Sequence, residues 1–187
     1  MLTKSEKGMI TLEACVSVLS FLLLMLLLSG LFVMFMAQNI TAHVALQTSQ
    51  SLSLDVFSTE RMTAEADDAP EVKDAVQSLV KGLFGDAQDS PYFVTDDRWY
   101  EGDETTVSAA VKQRFIGYLT AGDEAKADEL LKQMNVINGL EGLDFSESHV
   151  LDDTLYIILK YKLEYDFNIW NVGDVEVVQT TCSKLWK

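Results

Sequence analysis

The sequence predicts an α+β protein: a long N-terminal transmembrane helix continues into a stalk, and a small head of short helices ends in a C-terminal three-stranded antiparallel meander. Three observations predict this plan. An uncharged apolar run extends from Ala14 to Met36, apolar residues recur at helical spacing over residues 104–137, and residues 155–167 alternate with a period of two. The helical segments precede the strands, as in an α+β arrangement.

The apolar run predicts a membrane-spanning helix. Its 23 residues carry no formal charge, and Ser17, Ser20 and Ser29 are its polar side chains. As a helix this length crosses a hydrocarbon core of ~30 Å. Lys4 and Lys7 precede the run, so the positive-inside tendency places the N-terminal leader in the cytoplasm and the head outside the cell.

Two ordinary kinds of N-terminal signal do not fit this run. A secretory signal has a shorter apolar region followed by a small-x-small cleavage site, whereas this run ends Phe35-Met36-Ala37-Gln38. A lipoprotein cysteine follows its apolar region, whereas Cys15 precedes most of this one. The run is therefore expected to remain in the protein as an anchor.

The residues before the run, Lys7-Gly8-Met9-Ile10-Thr11-Leu12-Glu13-Ala14, carry a family resemblance. They resemble the class III signal of type IV pilins and pseudopilins, and are most similar to the start of TadE-like minor pseudopilins of tight-adherence (Flp-type) pilus systems. The C-terminal Ser183-Lys184-Leu185-Trp186 is also similar to that group, although the early proline of many relatives is missing.

The resemblance implies a cell-surface protein that a prepilin peptidase cuts between Gly8 and Met9. Glu13 would then be the fifth mature residue. The implied partners are the membrane, the peptidase and other pilin subunits, which the N-terminal helix contacts when the protein is incorporated in a surface pilus.

A physical argument gives Glu13 a role in assembly. Cleavage after Gly8 creates an amino group on Met9, and in a helix bundle the Glu13 carboxylate of one subunit can neutralise that amine on its neighbour. The alternative is an uncleaved single-pass anchor that presents an extracellular binding head, with Glu13 reaching the lipid headgroups. Loss or retention of the first eight residues distinguishes the two.

The predicted division of the chain is a leader at 1–8, a transmembrane helix and stalk at 9–66, and an extracellular head at 67–187. The helix is expected to run from Ile10 to about Thr59, roughly 75 Å, with a break near Ser49 to Ser53 as the alternative. We expect the head from about Asp67 onward to fold without the membrane helix.

The predicted elements of the head follow in order along the chain. Helices are expected at 71–85, from Glu104 to Ala121 and from Glu124 to Ile137, with a long loop at 86–103 that packs Trp99 against the head. Strands are expected at 143–151, 155–167 and 173–186, and Asp152-Asp153 forms the first turn of the meander.

The sequence contains no arrangement that predicts catalysis, a cofactor or a metal site. His43 and His149 have no nucleophile or carboxylate placed beside them, so an enzyme, here one tethered to the membrane, is the least favoured of the functions considered. The acidic loop at 96–104 is expected to be a solvated loop. Calcium binding by its carboxylates is the alternative, although the loop lacks the EF-hand spacing. Cys15 and Cys182 are too far apart in the plan to bridge and are expected to be packing residues. The net charge of −15 disfavours nucleic acid as a partner.

Overall fold

A computed structural model describes residues 4–65, 98–165 and 173–186. Helix α1 spans Lys4–Glu65, and the head contains helices α2 (Glu104–Thr120) and α3 (Glu124–Gln133) with 3-10 turns at Trp99–Glu101 and Gly139–Gly142. Strands β1 (His149–Leu151), β2 (Thr154–Leu163) and β3 (Val175–Lys184) form an antiparallel sheet in that order. The predicted α+β layout with a C-terminal meander is confirmed.

Helix α1 is continuous over 62 residues, which corresponds to about 93 Å. It runs through Ser49 to Ser53, so the alternative of a break there is wrong. Two hydroxyls of the stalk donate to carbonyls of the preceding turn: Thr41 Oγ1 to Ala37 O at 2.8 Å and Ser49 Oγ to Leu46 O at 3.0 Å. These hydroxyls are satisfied within the helix itself, so the polar composition does not interrupt it.

Helix α2 has nearly the predicted bounds because both of its ends are capped. The Asp103 carboxylate accepts a hydrogen bond from Thr106 N at 2.9 Å, and Ala121 ends the helix in the left-handed region at φ 54°.

Helix α3 begins as predicted, after the Asp123 cap, but ends at Gln133 instead of Ile137. Asn135 turns the chain at φ 61°, after which Ile137 N donates to Lys162 O of β2 at 2.9 Å.

The sheet also differs from the prediction in length. Strand β2 alternates between buried and less buried residues as predicted, and ends at Leu163. The first strand is only three residues long, and the segment before it touches β2 through the Asp144↔Lys160 bridge. Asp152 and Asp153, at φ 48° and 56°, form the predicted turn between β1 and β2 with the left-handed geometry of a two-residue hairpin.

The stalk half of α1 belongs to the same hydrophobic core as the head. The side chains that line this core come from α1, from α2 and α3, from the inner face of the sheet and from the segments that connect them. Its α1 members include Val44, Ala45, Leu52 and Val56, and members from the head include Phe115, Phe145, Leu155, Leu159 and Leu163. The predicted boundary at residue 67 therefore does not separate two independent cores.

Some predictions fall outside the described residues, namely the helix at 71–85 and the loop at 86–97. Trp99 is described: it lies in the first 3-10 turn and is 2% exposed, which confirms that it packs against the head. Cys15 and Cys182 are free and exposed. The prediction that the cysteines are packing residues is wrong for Cys182, which lies on a β3 position that faces away from the core.

Candidate assembly surface on the N-terminal helix

The first half of α1 exposes its apolar side chains. Large apolar residues from Leu12 to Leu26 are 42–67% exposed. By length and composition, α1 is the helix in the described part of the chain that could cross a membrane. An exposed apolar surface of this extent is unstable in water and indicates contact with lipid or with other apolar helices.

The predicted site residues all lie on this exposed half of α1. Gly8 is within the helix, and the side chains of Met9 and Glu13 are exposed. Met9 and Glu13 are four residues apart and therefore lie on the same face. Among the described residues, none forms an ion pair or hydrogen bond with the Glu13 carboxylate, while its backbone carbonyl accepts from Ser17 Oγ at 2.9 Å. The carboxylate is thus accessible to a group on another molecule.

The second half of α1 is attached to the sheet by polar contacts. Gln179 Nε2 donates to Gln38 O at 3.0 Å, and Ser183 Oγ donates to Ser49 O at 2.9 Å. The hydroxyls of Thr41 and Tyr161 are 2.9 Å apart and share a hydrogen bond. Residues later in β3 contact residues later in α1, so the strand and the helix run side by side in the same direction.

Further along α1, two charged residues contact the head. Arg114 of α2 is buried and pairs with Asp55, and its second terminal nitrogen donates to Ser51 Oγ at 2.6 Å. The Tyr100 hydroxyl donates to Glu60 at 2.7 Å. Burial, reinforced by this hydrogen bond to Glu60, raises the pKa of Tyr100 to about 12.

The attachment begins inside the apolar run. Tyr165, two residues beyond the end of β2, donates its hydroxyl to Leu27 O at 3.0 Å. A Cβ on Gly30 would lie 2.9 Å from the Tyr165 ring, so a glycine is needed for the ring to approach the helix backbone. Sequence reasoning missed this contact because nothing local links Gly30 to Tyr165.

The sequence did contain a signal for the docked half of α1. No Asp, Glu, Lys or Arg occurs between Glu13 and Asp55, although the predicted membrane segment ends at Met36. A helix surrounded by water normally carries charges on its outer face. The small hydroxyl residues that replace them include Thr41, Thr48, Ser49, Ser51 and Ser53, and all of these are buried.

The sequence also drew attention to the two histidines and to the acidic loop. His149 Nδ1 lies 2.8 Å from Glu147 O, and its ring stacks on Tyr156 with centroids 5.3 Å apart. His43 is exposed on α1. Within residues 4–65, 98–165 and 173–186, no group of three or more His, Cys, Asp or Glu side chains is arranged to hold a metal ion. In the acidic loop, Asp103 caps α2.

A cavity of about 220 Å³ lies between residues 137–144 and the sheet, and its lining includes Asp144, Lys160 and Glu176. Lys160 pairs with Glu147 on the neighbouring loop. Hydrogen bonds from Ser146, the backbone N–H foremost, lower the pKa of Asp144. The backbones of Asp144 and Lys160 also pair with each other, so these two residues attach the loop to β2.

Searches against protein-family models, curated proteins and solved structures found no match to this chain.

Proposed function

We propose that this chain is a pilin-like, TadE-like minor pseudopilin of a Flp-type pilus system. It is inserted in a membrane, is cut after Gly8 by a prepilin peptidase, and takes part in assembly of a surface pilus through its N-terminal helix. The observation that carries the proposal is the division of α1 into an exposed apolar half, which bears Met9 and Glu13, and a half that is packed into the head.

The outer side of the stalk also supports helix-to-helix assembly. Opposite the head, Leu46 and Leu54 are 46% and 50% exposed, beyond the segment that a bilayer needs. These residues continue a face that includes Phe32, Phe35 and Met36, and no charged residue interrupts it before Asp55. A neighbouring α1 that packs along this face would cover it in the membrane and above it.

Within such a bundle, Glu13 provides the specific contact. Processing places an amino group on Met9, and both this amine and the Glu13 carboxylate are costly to bury alone in lipid. The pair of opposite charges between neighbouring helices removes both costs and fixes the axial offset of the subunits. Lys4 and Lys7 of the leader hold the uncut chain with its head outside the cytoplasm.

Intact-mass measurement of the protein from its native membrane tests the proposal. The expected mass is that of a chain beginning at Met9. Gly8→Val should retain the full mass, because a subsite that accepts a bare glycine backbone rejects a branched side chain. Ser5→Val, a matched change elsewhere in the leader, should still be cut. A native protein that keeps its first eight residues would contradict the proposal and favour the uncleaved anchor.

A further inference from the structure

Among the described residues of the head, Tyr165 makes the contact with α1 that lies nearest the exposed half of the helix, through the carbonyl of Leu27. Val175 pairs with Leu163 at this end of the sheet, and Tyr165 and Gly173 each lie two residues beyond these paired strand ends. Tyr165 holds this end against Leu27. Gly173 and Asp174 are exposed there.

The position of this contact conflicts with a head that lies entirely outside the bilayer. Glu13 and Leu27 are separated by fourteen residues of α1. That distance is about 21 Å along the helix, whereas a hydrocarbon core is about 30 Å thick. For a helix that crosses the membrane, either the Glu13 carboxylate or the Tyr165 end of the head must therefore lie at or below the lipid boundary.

The cost of each choice favours the head as the immersed part. In a single anchored chain, before a neighbouring subunit supplies a counter-charge, the Glu13 carboxylate is unpaired and therefore expensive to place in hydrocarbon. A tyrosine, by contrast, is suited to the boundary between hydrocarbon and headgroups, where its ring is apolar and its hydroxyl is bonded, here to Leu27 O.

The far side of α1 leads to the same conclusion. Phe32 and Phe35 are 69% and 62% exposed, although both lie beyond Leu27 in the direction of the stalk. A bilayer that ended at Leu27 would leave both rings in water. A bilayer that extends to them also reaches the Tyr165 end of the head on the opposite side of the helix.

We propose that the Tyr165 end of the head is a membrane-contacting edge, with Gly173 and Asp174 among the lipid headgroups. The exposed Asp174 carboxylate limits the depth, because it prefers the headgroup layer to hydrocarbon. This inference rests on the membrane anchorage in the proposed function, and does not depend on cleavage or on pilus assembly.

Full-length chains with one environment-sensitive fluorophore test the proposal. The label is attached in detergent to a single cysteine before reconstitution into phosphatidylcholine nanodiscs. Three positions are compared: Cys15 in Cys182→Ser, Cys182 in Cys15→Ser, and Gly173→Cys with both native cysteines replaced by serine. Cys182 is exposed, and a Cβ at Gly173 meets nothing within 4 Å, so these changes leave the packing intact.

The expected result has three parts. The label at Cys15 is quenched by nitroxides on lipid acyl chains, and the label at position 173 by nitroxides on lipid headgroups. The label at Cys182, about 30 Å away along β3, is quenched by aqueous iodide at least threefold more than the label at 173. Equal iodide quenching at 173 and 182, with Cys15 still in lipid, would overturn this inference alone. A Cys15 label that no lipid nitroxide quenches would overturn the membrane anchorage as well.

Discussion

The Arg114 guanidinium is buried where α2 crosses α1 and donates to the Asp55 carboxylate on α1. The arginine side chain is 3% exposed and the aspartate side chain is 28% exposed. The pair joins α2 to the stalk half of α1, and Arg114 also donates to the Ser51 hydroxyl. A charge buried to this extent depends on its counter-charge.

Asp55→Ala should destabilise the protein by about 2–3 kcal/mol, because Arg114 loses its carboxylate while the guanidinium remains buried. The matched control is Glu101→Ala, which removes the carboxylate of the Arg98–Glu101 pair, whose side chains are 62% and 52% exposed. That control should change the unfolding free energy by less than about 0.5 kcal/mol. The unfolding free energies of the two variants are measured by denaturant unfolding in detergent. Equal losses would mean that the buried pair stabilises the protein no more than the exposed pair does.

Acid stability should depend on Asp103. Hydrogen bonds from Thr106, led by its hydroxyl, and from the Thr105 hydroxyl lower the pKa of Asp103 from 3.8 to about 2. The folded state therefore favours the carboxylate, so the stabilisation is complete above about pH 4 and is lost as the pH falls towards about 2.

Asp103→Asn keeps an oxygen that can cap α2 but removes the titrating group. The fall of the melting temperature with decreasing pH should therefore be shallower in Asp103→Asn than in the unmodified protein. Glu104→Gln removes the neighbouring charge and should keep the original slope. If Asp103→Asn has the same slope as the unmodified protein, the cap does not contribute to acid sensitivity.

A chain that begins at Asp67 should not fold cooperatively, in contrast to the expectation from sequence. It lacks Val44, Leu52 and Val56, which are buried in the shared core. Each contributes on the order of 2 kcal/mol, and together they approach the whole stability of a small domain. A chain that begins at Ala37 retains these residues and should show near-ultraviolet circular dichroism and a cooperative thermal transition. The same transition in both chains would show that the stalk is dispensable.

Glu13→Ala should leave expression, membrane insertion and cleavage intact while it blocks incorporation into pili. In the proposed pilus, loss of the carboxylate would leave the Met9 amine of a neighbour buried without a partner, at a cost of roughly 3–5 kcal/mol. Glu13→Asp should fall between the two, because it keeps the charge with a shorter reach. The measurement is the ratio of each variant in sheared filaments to that in membranes. Equal incorporation of the alanine variant would leave Glu13 with no role in assembly.

The sequence predicted those parts of the fold that depend on residues close together in the chain. Alternation identified β2, apolar residues at helical spacing identified α2, the Asp123 cap placed the start of α3, and the paired aspartates marked the hairpin turn. The short β1 and the early end of α3 were not predictable in this way. Just after α3 ends, Val136 bridges to Leu163 and Ile137 N donates to Lys162 O, and the segment before the short β1 meets β2 through the Asp144–Lys160 bridge. All of these contacts join residues that are distant in sequence.

In the stalk, the polar composition did not predict that helix α1 is continuous. Its serines and threonines suggested a weak helix, yet Thr41 and Ser49 are buried against the head with their hydroxyls bonded. Helix propensity describes an isolated helix, and tertiary packing overrides it here. For the candidate site, the sequence identified Gly8, Met9 and Glu13 as the residues of interest, but it contained no information on the contact between Tyr165 and Leu27.

Because α1 is one unbroken helix to which the head is attached from Leu27 to Glu60, it works as a rigid lever. The attached section is about 50 Å long, so a change of about 10° in the tilt of the exposed apolar half of α1 displaces the far end of the head by about 9 Å. A pull on the head is likewise transmitted to the membrane segment without an intervening hinge in α1. Small rotations among bundled N-terminal helices would thus become large rearrangements of the surface that the heads present.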